Sequence, residues 1–210
     1  MCSKRRVASA RCRTSSSVYG ANPVLSKHEG LATVPLSPYG ASKLAAEAAA
    51  LAYQSSFQLP VLALRFFNVF GPMQDADHAY AAVVPEFISR ALAGKPLLIE
   101  GDGHQTRDFT FVGGVATVIA DAIVRGVTDP QPVNLAFGTR TEVLDLARMV
   151  CRDVGVPLAV EHIAPRPGDV RHSRADSTRL RQLFPALEQV ALDDALHETV
   201  EWFVSRARNV

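Results

Sequence analysis

Ser37-Pro38-Tyr39-Gly40-Ala41-Ser42-Lys43 opens a segment that stays Ala- and Leu-rich as far as Gln54, and the apolar run Val61-Leu62-Ala63-Leu64 follows it just past Pro60. Pro38 stands where a helix tolerates it, because the amide it lacks would have no intrahelical partner in the first turn. No breaker follows Gly40, so the spacing predicts a helix over 39–54. Val61–Leu64 is of buried-strand type and continues past Arg65 through Phe66 and Phe67. A helix feeding a short, fully apolar strand is the signature of an α/β protein.

The rest of the chain repeats that alternation. Gly71-Pro72 marks a turn, and helical spacing runs from Val83 to Leu92 before Gly94. Short strands are expected at 96–99, 109–112 and 133–136, with a tight loop at Gly101 and Gly103. Helices are expected at 115–124, at 143–154 with Gly155 just past its end, and at 192–206 as a closing amphipathic segment. Residues 165–176, rich in Pro, Arg and Asp, read as a loop. The aromatic pair Trp202-Phe203 is read as core rather than as a ligand platform.

Composition removes several classes of function. The chain of 210 residues carries 22 Lys and Arg against 21 Asp and Glu, a formal charge of +1. A nucleic-acid or anionic-membrane binder would need a clustered basic excess. No apolar run approaches the roughly 18–20 residues of a membrane span. Cys2, Cys12 and Cys151 are odd in number and scattered, and no histidines pair at metal-ligand spacing, so neither a disulfide framework nor a metal site is expected. These features imply a soluble protein of the reducing cytoplasm.

The start differs from the remainder. Residues 1–28 hold no acidic residue, while Lys4, Arg5, Arg6, Arg11 and Arg13 are basic. Two readings stand, a transit peptide or a surface-exposed atypical basic start, and the second is the expectation. No buried parallel strand is expected over 1–13, since basic residues break up its few apolar positions.

Chemistry concentrates in Tyr39 and Lys43. Four residues apart on one helix face, they place an ammonium beside a phenol, and a positive charge favours the phenolate. Such a Tyr takes a proton from a hydroxyl as hydride leaves the same carbon.

Around that pair stand Ser15-Ser16-Ser17-Val18-Tyr19-Gly20 upstream and Leu64-Arg65-Phe66-Phe67-Asn68-Val69-Phe70-Gly71-Pro72 downstream. Gly101-Asp102-Gly103 with Arg107-Asp108-Phe109, Arg166-Pro167-Gly168-Asp169-Val170 and Ala175-Asp176 follow in order. From about Ser15 to the C-terminus this order resembles the extended short-chain dehydrogenase/reductase family, and within it the nucleotide-sugar epimerases and dehydratases. The resemblance implies the C-terminal part of a Rossmann-type parallel sheet plus a smaller α/β substrate-binding lobe. It assigns 14–72 and 109–138 to the first and 73–108 and 139–210 to the second, leaving 1–13 as the basic start. It implies NAD as cofactor and a UDP-sugar as substrate.

The roles it implies are these. Tyr39 is general base and acid, and Lys43 binds the nicotinamide ribose. Phe66 lies on the cofactor, and Ser15 hydrogen-bonds the reacting hydroxyl. Asn68 and Val83 contact the substrate, while Arg107, Arg166 and Asp169 hold the nucleotide diphosphate and its ribose, the arginines through bidentate phosphate contacts. Dehydratases of the family carry acidic residues just after the serine, where this chain has Ser16 and Ser17; the resemblance therefore implies 4-epimerisation through a 4-keto sugar. Ser173, small where a bulky side chain would crowd a 2-acetamido group, implies tolerance of N-acetylhexosamines. Gln74-Asp75 and Tyr80-Ala81-Ala82-Val83 are similar to the same enzymes. The Ala-rich helix 41–52 is where the family commonly dimerises.

Two departures bear on the outcome. The family opens with a βαβ unit whose Gly-rich turn receives the cofactor pyrophosphate, and no such turn precedes Ser15. Gly113 and Gly114 also stand where the family usually shows acidic residues. Two functions therefore remain open: an NAD-dependent UDP-sugar 4-epimerase, or a truncated, catalytically silent remnant that at most binds nucleotide sugar. In the latter, strands meant to be central would become open edges.

Overall fold

Val61–Phe66, the apolar run after the long helix, is the middle of a three-stranded parallel sheet, and its first four residues are buried. In the computed structural model, which describes residues 10–74, 82–165 and 170–208, the strands are β1 (Ala10–Ser15), β2 (Ser26–Lys27), β3 (Val61–Phe66) and β4 (Val69–Phe70), then β5 (Leu97–Glu100), β6 (Thr106–Arg107) and β7 (Thr110–Phe111). They continue as β8 (Val133–Leu135), β9 (Thr141–Glu142), β10 (Val160–Ile163) and β11 (Arg174–Ala175). The helices are α1 (Pro38–Phe57), α2 (Val83–Leu92), α3 (Val112–Arg125), α4 (Val143–Val154), α5 (Thr178–Leu183) and α6 (Leu192–Arg208). The predicted helices at 83–92 and 143–154 have these bounds, and the α/β reading holds.

The sheet order is β1-β3-β8, with Ser15 opposite Phe66 and Phe66 opposite Leu135. One side of β3 packs Leu62 and Leu64 against Val115, Val118 and Ala122 of α3. On the other side α1 packs against β1 and β3. A separate core joins α2, α4 and α6 over β5 and includes Phe87, Ile88, Leu97, Leu146, Val150 and Leu196. Phe203 packs partly buried against it, and Trp202 meets Phe203 edge-on at 5.0 Å.

The basic start contains a strand that the sequence reading excluded. β1 begins at Ala10, within residues 1–13, and pairs in parallel with β3 over six positions. The reading failed because β1 has no partner on its other edge among the described residues, so it need not be apolar on both faces. It alternates instead: Arg13 is exposed, whereas Thr14 is buried with its hydroxyl donating to the Lys43 carbonyl, and Cys12 reaches the Ala46 carbonyl. The predicted loop over 165–176 likewise contains the two-residue strand β11, paired with β2.

Candidate active site

The start of α1 is built against the serine run. Ser37 caps the helix, its hydroxyl accepting from the Gly40 amide at 3.1 Å. Gly40 is there because of a close approach: a Cβ on it would lie 2.8 Å from the Ser17 carbonyl oxygen. Only a glycine lets the first turn of α1, with Tyr39 on it, pack onto the Ser15–Ser17 segment. Ser15 and Ser17 hydroxyls lie 2.5 Å apart, and the Ser17 amide donates to Ser15 Oγ at 3.2 Å. Tyr39 is 57 % exposed, and Lys43 Nζ lies 5.3 Å from its ring centroid.

Beneath this surface runs a buried polar chain. Arg65, the one charge in the apolar run of β3, makes a bidentate pair with Glu47 of α1 at 2.6 and 2.9 Å. Its guanidinium stacks 4.7 Å from the Tyr19 ring centroid. The Tyr19 hydroxyl donates to Asn134 Oδ1 at 2.7 Å, and Asn134 Nδ2 donates to the Lys27 carbonyl at 2.8 Å. Burial pushes the Tyr19 hydroxyl above its ordinary pKa, so it stays a donor. The chain fixes α1 to the sheet and the sheet to β2.

Two adjoining cavities meet at Asn68 and Arg107. The first, about 430 Å³, is lined by Tyr39, Val83, Leu98 and Gln105 among others. The second, about 320 Å³, is lined by Ser15, Ser16, Ser17, Lys27, Phe66 and Ser173 among others. Asn68 and Arg107 line both. Asn68 sits at φ +33°, and its side-chain amide donates to the Asp108 carbonyl at 3.1 Å. Arg107 is aimed by its bonds to the Thr106 and Arg171 carbonyls at 2.9 and 3.1 Å. Ser173 is held by its amide, which donates to the Thr106 carbonyl at 3.0 Å. The structure thus brings seven of the expected site residues to one pair of cavities, with Lys43 beside Tyr39. Arg166 and Asp169 lie outside the described residues, as do Asp75, Tyr80 and Ala81.

In the sequence Asp108 is part of a motif and carries no assigned role. It is fully buried, and its carboxylate accepts from the Gly138 and Ala175 amides at 3.0 Å each and from the Thr139 hydroxyl at 2.8 Å. Burial raises its pKa, and the hydrogen bonds pull the other way. It ties the Asn68–Arg107 junction to β11, the strand that follows Ser173. Lys27 was missed entirely, since nothing in the loop between Gly20 and Ser37 signalled it. Glu47 had a signal that went unread, a carboxylate in an Ala-rich helix facing a strand interrupted by one arginine. Among the described residues no group of three His, Cys, Asp or Glu side chains converges as metal ligands, and no helix is long and apolar enough to cross a membrane.

A cleft between a parallel sheet and a helical lobe, with a Tyr–Lys pair at the rim and serine hydroxyls beneath, defines a Rossmann-type dehydrogenase-like class. Residues 1–136 match the family described as "NAD dependent epimerase/dehydratase family", and the chain belongs to it. It is 37 % identical over 195 residues to UDP-glucose 4-epimerase of Mycolicibacterium smegmatis, covering 91 % of this chain and 61 % of that protein. Among solved structures it is similar to UDP-N-acetylglucosamine 4-epimerase from Methanobrevibacter ruminantium in complex with UDP-N-acetylmuramic acid. That match has a TM-score of 0.89 and 35 % identity over 95 % of this chain and 64 % of the other. It is also similar to the UDP-glucose 4-epimerase of Thermus thermophilus in complex with NAD, with a TM-score of 0.82 and 29 % identity over 92 % and 63 %. The chain spans about three-fifths of the length of these relatives.

Proposed function

We propose that this chain carries the catalytic and substrate-binding residues of an NAD-dependent 4-epimerase acting on a UDP-hexose or UDP-N-acetylhexosamine. The observation that carries the reading is the junction at Asn68 and Arg107, which joins a cavity rimmed by Tyr39 to one floored by Ser15. A nucleoside diphosphate sugar needs such a layout, with an arginine for the phosphates and hydroxyl-bearing side chains, Tyr39 and Ser15 among them, for the sugar.

The residues present fit one end of a dinucleotide. Exposed Tyr39 and half-buried Lys43 stand side by side on α1, next to an edge of β1 that carries no strand among the described residues, with Phe66 level with Ser15 on β3. Tyr39, Lys43 and Phe66 would hold the nicotinamide and its ribose. Bound NAD supplies the hydride acceptor and donor for sugar C4. Tyr39 takes the proton of the C4 hydroxyl as its C–H bond breaks, holds it while the 4-keto sugar turns, and returns it to the oxygen on the other face. Ser15 Oγ, oriented by its bonds to Ser17, holds that oxygen in line with Tyr39. Asn68 and Val83 border the substrate, Arg107, Arg166 and Asp169 bind its diphosphate and ribose, and Ser173 leaves room for a 2-acetamido group. Ser16 and Ser17 carry no carboxylate for an elimination, which favours epimerisation over dehydration. In the same reading the catalytic part comprises 14–72 and 109–138, the substrate lobe 73–108 and 139–210. The exposed small residues of α1, Ala41, Ala45, Ala48, Ala49 and Ala52, form a dimer face.

A second reading is nucleotide-sugar binding without turnover by this chain. One experiment separates them: the chain is incubated with NAD and UDP-glucose or UDP-N-acetylglucosamine, and C4 inversion is followed by NMR. Inversion that falls at least about 100-fold in Tyr39→Phe supports the epimerase. Inversion that survives the change removes Tyr39 from its role, and binding without inversion establishes the second reading.

A further inference from the structure

The second cavity is lined by a cation that no carboxylate neutralises among the described residues. Lys27 is 3 % exposed, lies on β2, and lines the cavity beside the Ser15–Ser17 run and Ser173. An ammonium has three N–H donors. Here one is spent, on the Asn22 carbonyl. That carbonyl is neutral, and no carboxylate pairs with Lys27 among the described residues. Burial alone pushes its pKa below the ordinary 10.5. A charge taken out of water without an ionic partner is unfavourable, and one that lines a cavity finds its partner in whatever fills it.

The lining of that cavity points the same way. Among the described residues it is lined by two cationic side chains, Lys27 and Arg107, several serine hydroxyls, and no Asp or Glu. Arg107 also lines the neighbouring cavity and, in the function proposed above, takes the diphosphate. Lys27 lines the same cavity as the serines that would surround the hexose. With Arg107 on the diphosphate, a neutral hexose offers Lys27 only hydroxyls.

We propose that Lys27 is a specificity-determining residue that binds a carboxylate carried by the hexose, so that the preferred substrates are UDP-sugars with an acidic substituent. This rests on the nucleotide-sugar reading of the two cavities and adds the substrate's charge to it. A charged hydrogen bond from a buried side chain discriminates against the analogue that lacks the acceptor. A tie between Lys27 and Asn22 that merely closed the loop would show no such discrimination.

The test is calorimetric titration of the full chain with UDP, UDP-glucose, UDP-glucuronate and UDP-N-acetylmuramate. These sugars place the carboxylate at C6, on a C3 ether, or nowhere. The expected result is that at least one carboxylate-bearing sugar binds about tenfold or more tightly than UDP-glucose. In Lys27→Gln, which still donates to the Asn22 carbonyl, that ratio should fall towards one. Equal affinities for charged and neutral sugars in the unaltered chain would overturn the proposal and leave the nucleotide-sugar reading standing. Equal losses for every ligand in Lys27→Gln, with the ratio kept, would make Lys27 a loop tie and overturn it as well. Failure of all four ligands to bind, UDP included, would remove the nucleotide-sugar reading and this inference with it.

Discussion

α1 and α4 are both long helices lying against short parallel strands, yet they are held in opposite ways. α4 is 12 residues long and buries Val143, Leu146, Ala147, Val150 and Cys151, an apolar stripe at helical spacing. α1 is 20 residues long, and its buried residues are Gly40 and Glu47. Most of its alanines, with Tyr53 and Phe57, face outward. The side holding α4 is thus an ordinary oil core, whereas the helix bearing Tyr39 and Lys43 is fastened by a cap, a close glycine contact, one buried ion pair and the partly buried Leu44. Packing tolerates small errors by relaxing; an ion pair out of water does not.

That difference can be broken at its ends. The largest expected effect is Glu47→Ala, which strands Arg65 as an unpaired buried charge (their side chains are 5 % and 4 % exposed) and should destabilise by about 3–5 kcal/mol in urea unfolding. The double change Glu47→Leu with Arg65→Met should recover most of that loss, because neither charge then needs a partner. Leu146→Ala in α4 should cost about 2–5 kcal/mol through the cavity it leaves, with no charged partner able to rescue it.

Asp108 sharpens the comparison, because it joins the two regions through buried hydrogen bonds. Asp108→Asn keeps acceptors for some of the three donors and should cost about 1–3 kcal/mol. Its pH dependence has a definite sign. The folded pKa lies above the ordinary 3.8, so between those two values the folded state binds more protons than the unfolded one. This group's contribution to stability therefore falls as pH rises through that window, and the slope should flatten in Asp108→Asn when unfolding is measured at stepped pH. The smallest effect belongs to Tyr39→Phe: at an exposed ring, stability should stay within about 0.5 kcal/mol, so any large loss of turnover reports chemistry and not folding.

The same contrast explains what the sequence disclosed. α2 and α4 were legible to their end residues because an amphipathic stripe is written in the residues that bury it. β3 was legible because both of its faces are covered. β1 was not, since among the described residues it pairs on one edge only and carries Arg13 outward. The Tyr39–Lys43 pair, Asn68 and Arg107 were readable from motif order. Lys27 and Asp108 owe their roles to partners 5 residues away in the first case and 30 to 67 away in the second, which no local pattern encodes.

The central claim is that the cavities meeting at Asn68 and Arg107 hold a nucleotide diphosphate. Titrating UDP into the chain and into Arg107→Met tests it most directly. One saturable site that weakens about tenfold or more in the variant is the result expected of a charged phosphate contact. No saturable binding, or binding indifferent to Arg107, would contradict it.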